Sequence, residues 1–389
     1  MEGIGIKGRY DVVIVGAGPA GSSLGYILAD KGFDVLLIDR AIFPRSKLCA
    51  GVITWKTRKW LEGVLNIPFE ERFPVKSVSK TYSIYERSRL IVSHENPEPF
   101  YFVNRKEYDM ELVSLAENKS CTLLFNQHVT GVDALENAVL TESGRMFCAR
   151  VIVGADGANS TVRKSLHLQS RLRRNLILAF QSRVPKEKIG STLQPISPQL
   201  FLGYVRWGYG WIFPHKESVV VGMAGLVRKN KNLKERYIEF LKACIEMNSE
   251  SSIEMGSHPI PSGDFSEIPG AGNVLLIGDA AGLVDPLTGE GIYYAHRSAE
   301  LASRAILGHF DTGKNGDLAK SYKRYIAQVQ NELKIAKRCR DLVYSRFRLF
   351  AYGVVKSREF YLKVTDVIHG RKKYSQIPLI SKGIKTAFE

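Results

Sequence analysis

The sequence predicts an α/β protein (α+β overall): a discontinuous Rossmann-like domain, an antiparallel sheet inserted into it, and a helical C-terminal segment. Two observations carry this. Three runs of apolar, mostly β-branched residues end in glycine- and aspartate-rich turns near residues 16–21, 154–157 and 278–291, as buried parallel strands do where they meet a nucleotide. Between these runs lie stretches that alternate apolar with polar residues, the period of a half-exposed antiparallel strand. At 389 residues the chain can hold two domains with cores large enough to enclose a dinucleotide.

Residues 10–15 read as the first buried strand, 19–31 as a helix that Gly32 ends, and 34–38 as a second strand closing at Asp39. Residues 82–94 read as one exposed strand, and residues 199–207 and 218–226 as two more. Residues 273–277 return the chain to the first domain, and residues 291–307 form its closing helix. After Gly316 the pattern is helical and basic to the end. The expected division is 1–75, 100–165 and 270–310 for the nucleotide domain, 76–99 and 166–269 for the inserted domain, and 311–389 for the C-terminal region.

Composition removes several function classes. The five cysteines are scattered without CxxC spacing, which argues against a disulfide framework or a metal site and suits a reducing compartment. The first apolar run is a strand rather than a signal peptide, and no apolar stretch approaches the roughly 20 residues that span a bilayer. The expectation is a cytoplasmic protein, either free or peripheral to the inner face of the membrane. The net charge is +16, but residues 320–389 hold 17 Lys and Arg against 5 Asp and Glu. That basic tail suits either an anionic membrane surface or an acidic electron-donor protein; nucleic acid is not expected.

The chemistry begins at Gly16-Ala17-Gly18-Pro19-Ala20-Gly21. A pyrophosphate needs backbone N–H groups and no intruding side chain. Gly16 permits the turn, Gly18 close approach, and Gly21 helix packing, while the helix N-terminus favours the anion. Asp39 stands where a carboxylate accepts from ribose hydroxyls, and its charge disfavours a 2′-phosphate. This loop alone does not separate FAD from NAD. The later segments choose FAD: Asp156 and Gly157, then Gly278 and Asp279, suit ribityl and isoalloxazine contacts. The run through Pro286, Gly289 and Gly291 would bring a helix N-terminus to the pyrimidine edge of a flavin. No second GxGxxG follows a strand, so electrons would come from transient NAD(P)H or a ferredoxin-like partner.

In this order the segments resemble the FAD fingerprints of the p-hydroxybenzoate hydroxylase-like superfamily, and Arg105 with Asp109 extends the likeness. Residues 44–51, Pro-Arg-Ser-Lys-Leu-Cys-Ala-Gly, and residues 209–214, Tyr-Gly-Trp-Ile-Phe-Pro, resemble the PRxKxCxG and YxWxFP stretches of the geranylgeranyl reductase family. Ala50 replaces the more usual glycine. The resemblance implies FAD contacts at Ala20, Arg40, Lys47, Cys49, Ala50, Gly51, Val129 and Ile292 as well. It further implies hydride transfer to an isolated double bond of an isoprenoid lipid, with Cys49, Tyr209 and Trp211 as catalytic candidates.

Tyr209, Trp211 and Phe213 alternate, so they either line an apolar substrate wall or fill the core. Cys49 either faces the flavin or is a small buried hydrophobe. For the proton, Cys49, Tyr209 and ordered water all stand open. The alternative chemistry is an FAD-dependent monooxygenase acting on an aromatic or lipid substrate. Tyr209 and Phe213 set the chain apart from flavin halogenases, whose related motif has Trp first and Ile before Pro.

Overall fold

The computed structural model describes residues 9–168, 175–189, 197–245, 253–312, 316–346 and 357–377. The strand Tyr10–Val15 lies at the centre of the first sheet because it is apolar on both faces and its inward residues are fully buried. It pairs in parallel with Val35–Ile38 on one side and Met146–Gly154 on the other. Thr122–Leu124 and Val274–Leu276 extend the sheet outward, also in parallel. Helices Pro19–Asp30, Arg105–Glu117 and Ile292–Thr312 pack together over it. Gly32, at φ +83°, follows the first helix as expected.

The second sheet runs in the order Gly256–Pro261, Leu176–Pro185, Ser218–Leu226, Gly208–Pro214, Gln199–Leu202, Val75–Glu86, Arg89–Val103, Val52–Ile53. Every pair is antiparallel except Gln199–Leu202 with Val75–Glu86. Helix Leu233–Cys244 covers one face, burying Tyr237 and Phe240 against Val221 and Met223. On the opposite face Tyr209 reaches Thr288, in the turn that precedes the helix Ile292–Thr312.

Three expectations need correction. Residues 82–94 are not one strand but the end of a hairpin: the chain reverses at Arg87, whose φ is +52°, and Tyr82 pairs with His94. The strand expected over 199–207 stops at Leu202, because Gly203 (φ +90°) and Trp207 (φ +54°) turn the chain back. The short strand Val52–Ile53 pairs with Tyr101 and Phe102 in the second sheet, so residues 52–53 and 100–103 belong to that sheet and not to the first. Helix Leu318–Ser345 then runs along the first sheet, and Arg358–Ile368 packs its Tyr361 against Tyr82. No helix among the described residues is long and apolar enough to cross a membrane.

Candidate active site

The glycine loop is built by exclusion. Gly16 has φ +104°, and a Cβ there would lie 2.5 Å from the Ala155 carbonyl oxygen; a Cβ at Gly21 would lie 1.9 Å from that of Gly16. Gly18 differs: its nearest neighbour is Arg45 Nη2 at 3.7 Å, so its surface stays open. No side chain caps the helix that follows and no acid sits in its first turn, which leaves the positive helix end free for a phosphate. Asp39 is fixed at its strand end, one oxygen accepting from Ala17 N and the other from Ala41 N, each at 2.8 Å. Arg40 beside it is exposed, and Val129 is buried at the start of strand Val129–Asp133.

The second and third segments lock onto this loop. Asp156 caps the short helix Thr161–Ser165 through Thr161 N and Val162 N, at 2.6 and 3.2 Å. Its other oxygen is buried without a partner. Gly157 follows at φ +78°. Arg163 donates to the carbonyls of Ala280 and Ala158, at 2.8 and 2.5 Å, so one guanidinium ties both segments together. Gly278, at φ +55°, would place a Cβ 3.1 Å from that of Ala20. Asp279 follows; burial pushes its carboxyl up, against the pull of Lys47, Arg105 and Arg163. Gly291 abuts Asp279 Oδ1, Pro286 is buried, and Ile292 opens the closing helix.

The segment from Lys47 to Gly51 crosses from the first domain onto the second sheet and is held there residue by residue. Lys47 Nζ lies 2.6 Å from His258 Nε2. Leu48 occupies the space a side chain at Gly256 would need. The Cys49 carbonyl accepts from Gln181 Nε2 at 3.3 Å, and its sulfur accepts from Gly51 N at 3.4 Å. Gly51 (φ +73°) has no room for a Cβ beside the Val103 carbonyl. Ala50 joins the apolar cluster around Trp211. Arg105 is buried and held by Asp109 at 2.7 and 2.9 Å; burial opposes its charge, but the carboxylate keeps it firmly cationic. Arg45 adds a second contact to Asp109 at 3.1 Å.

Tyr209, Trp211 and Phe213 do share one face, with ring centroids 6.0 and 6.2 Å apart in succession. Register explains the surface beside them. His258, Ala179, Ala224 and Tyr209 are cross-strand neighbours in one row. Gly256, Gln181, Gly222 and Trp211 form the next row on the same face. The first row is small in its middle, at Ala179 and Ala224, while in the second Trp211 lies over Gly222, where a Cβ would come within 2.2 Å of the indole, and Leu48 covers Gly256. Between Tyr209 and His258 the face therefore drops to a shallow apolar trough floored by Ala179 and Ala224. The Tyr209 hydroxyl donates to the Thr288 carbonyl, so the wall touches the turn before Gly289.

Several residues here were not singled out by the sequence. Glu290 is bonded by Thr54 at 2.6 Å and Lys56 at 2.5 Å. Burial raises its carboxyl against the pull of Lys56. Asp285 accepts from Leu287 N and Thr288 N on one oxygen and from Tyr374 on the other, at 2.9, 3.0 and 2.8 Å. His296 is fully buried between Ser23 and Tyr108, at 2.7 Å each, and burial brings it to about 3. Two acids inside a glycine-rich run were the only signal available for Glu290 and Asp285. Nothing local marked His258, Gln181 or His296. The described residues contain no cluster of His, Cys, Asp and Glu that could hold a metal.

Comparison with known proteins gives this geometry a family. A profile described as an FAD binding domain matches residues 9–194. An uncharacterized protein from Methanosarcina barkeri is 31% identical over 84% of this chain and 82% of its own, and a geranylgeranyl diphosphate reductase from Rhodobacter capsulatus is 28% identical over 86% and 85%. The chain belongs to the geranylgeranyl reductase family of FAD-dependent oxidoreductases. The fold agrees with that membership. A geranylgeranyl bacteriochlorophyll reductase-like protein from Thermoplasma acidophilum superposes with a TM-score of 0.76 at 20% identity, over 97% of this chain and 99% of that one.

The family's FAD fits the residues present. Gly18 offers an open backbone surface at an uncapped helix end. Asp279 is a half-buried carboxylate to which no described residue donates a hydrogen bond, which leaves it able to accept from a ribityl hydroxyl.

Proposed function

We propose that this reductase saturates isolated double bonds of a geranylgeranyl-type isoprenoid lipid. FAD, when reduced, supplies the hydride. The reading rests above all on the trough floored by Ala179 and Ala224, which adjoins both the aromatic wall and the loop from Lys47 to Gly51. A prenyl chain offers area and no hydrogen bonds, and this surface matches it: methyl floor, indole and phenyl walls.

In this reading Gly16, Gly18, Ala20 and Gly21 receive the pyrophosphate, and Asp39, Arg40 and Val129 the adenosine half. Lys47, Cys49, Ala50, Gly51, Arg105, Asp156, Gly157, Gly278, Asp279, Pro286, Gly289, Gly291 and Ile292 surround the flavin half. Tyr209, Trp211 and Phe213 hold the prenyl chain and exclude water, which an unactivated alkene requires of its site. Tyr209 is a poor proton source, since its hydroxyl is committed to Thr288 and burial pushes its pKa upward. Cys49 accepts a hydrogen bond at sulfur from Gly51 N and suits the role of a packing and orienting group at the flavin face.

Electrons would reach the site from NAD(P)H or a ferredoxin-like donor. The basic C-terminal region suits a peripheral contact with anionic lipid. Part of its charge is already paired, Arg371 and Lys372 both binding Asp366 at 2.7 and 2.9 Å; of residues 346–352, all but Arg346 lie outside the described residues. The test is product analysis. Protein reduced with dithionite under argon and given a geranylgeranyl-bearing lipid should return that lipid carrying two more hydrogens per bond. Unchanged lipid from flavin-loaded protein, or a product carrying oxygen once air is admitted, would refute the reading.

A further inference from the structure

We infer that Lys47 and His258 form the proton-delivery pair of this reaction, with Lys47 donating to the double bond and His258 orienting and resupplying it. The inference rests on the reductase reading above.

Three observations place the pair. Lys47 Nζ and His258 Nε2 are 2.6 Å apart, a distance at which one nitrogen carries the shared proton and the other accepts it. No carboxylate lies within ion-pair distance of Lys47 among the described residues, although Asp279 is near enough to act on it. Its strongest hydrogen bond is thus to a neutral base and not to a counter-ion. His258 occupies the same row of the sheet as Ala179, Ala224 and Tyr209, so it stands at the rim of the trough. It is only partly buried, which gives the pair a route to solvent.

The charged surroundings fix which partner holds the proton. Burial lowers Lys47 to about 8, with Asp279 and Cys49 acting against the fall and Arg105 and Arg45 with it. Burial, then Lys47, Arg105 and Arg40, brings His258 to about 4. Between those values the lysine is an ammonium and the imidazole is neutral. An acid that loses its proton near the working pH is the effective kind of general acid.

The step balances. As the π bond breaks, one alkene carbon forms a C–H bond with the hydride that reduced FAD supplies, both electrons travelling with it. The other carbon forms its C–H bond with the proton leaving Lys47, and FAD ends oxidised. The neutral amine then regains a proton from solvent by way of His258. Tyr209, pinned to Thr288, does not compete for this role.

The experiment uses Lys47→Met, His258→Leu and His258→Gln in the full-length, FAD-loaded protein. Lys47→Met, compared per bound flavin after reduction by dithionite, should saturate the prenyl bond about 100-fold more slowly. Wild type should lose single-turnover rate as pH rises through about 8. His258→Leu removes the acceptor, destabilises the ammonium and should move that limb to lower pH, while His258→Gln, which still accepts, should restore it. An independent readout is NMR of ¹⁵N-lysine-labelled protein. The Lys47 resonance should titrate near pH 8 in wild type and lower in His258→Leu.

Wild-type rate in Lys47→Met, or an unmoved alkaline limb and an unmoved NMR midpoint in His258→Leu, would overturn the pair. Failure of wild type itself to saturate any prenyl bond refutes the reductase reading instead. In that case a Lys47 midpoint insensitive to His258 overturns the pair as well, and one that shifts supports its proton-sharing geometry.

Discussion

Gly16 and Gly21 on the nucleotide side, and Gly222 and Gly256 on the trough side, all lack room for a Cβ, but what occupies the room differs. On the nucleotide side it is backbone: the carbonyls of Ala155 and Gly16. On the trough side it is side chain: Trp211 and Leu48. Backbone at the end of a buried parallel sheet cannot give way without moving the strands, whereas a side chain can change rotamer. In the proposed reading the cradle for the cofactor is therefore rigid to substitution at these positions, and the trough for the substrate is adjustable. A family that keeps one cofactor and varies its lipid would need that division.

The sharpest way to break the comparison is Gly21→Ala. Its Cβ meets the Gly16 carbonyl, so FAD affinity should fall by about 100-fold or more, equivalent to about 2.7 kcal/mol; flavin fluorescence titration measures it. Next is the seam between the two regions. Glu290→Gln leaves Lys56 buried without its counter-charge, and should destabilise the protein by about 3 kcal/mol, read from urea midpoints. The double variant Lys56→Met/Glu290→Gln should recover much of that loss.

Gly222→Val tests the adjustable side. It should displace Trp211 at a cost of about 1–3 kcal/mol, leave flavin content unchanged and raise the KM for a prenyl lipid. Loss of flavin in this variant would dissolve the distinction between cradle and trough.

A further effect is in acid. His296, buried neutral at about 3, and His215 and His369, at about 4 and 3, all sit below their unfolded values. The unfolded chain then binds protons first, so stability is full above pH 6.5 and declines as pH falls toward the folded values. Histidine 296 ties helices Pro19–Asp30 and Arg105–Glu117 to Ile292–Thr312 through Ser23 and Tyr108. His296→Gln should shrink the acid loss measured by thermal melts between pH 7 and 4.5, while lowering the neutral-pH melting temperature.

Local structure was legible in the sequence wherever one segment forms one element. The three glycines and Asp39 span a single strand–helix–strand unit, and the alternation of Tyr209, Trp211 and Phe213 settles their shared face without any partner. Features set by register were not legible. His258 gains its place only because it pairs with Ala179, and Glu290 meets Lys56 across most of the chain. The hairpin near Arg87 was hidden for another reason. Alternation continues through a turn of Glu86, Arg87, Ser88 and Arg89, with none of the Gly, Pro or Asn that announces one.

The account stands or falls on electrons moving from the cradle to the trough. The direct measurement is anaerobic stopped-flow mixing of the dithionite-reduced protein, freed of excess reductant, with a geranylgeranyl lipid, following flavin absorbance and lipid mass in the same samples. One flavin reoxidised for each double bond saturated, without oxygen, is the predicted result. Flavin that stays reduced beside intact lipid until oxygen enters would contradict it.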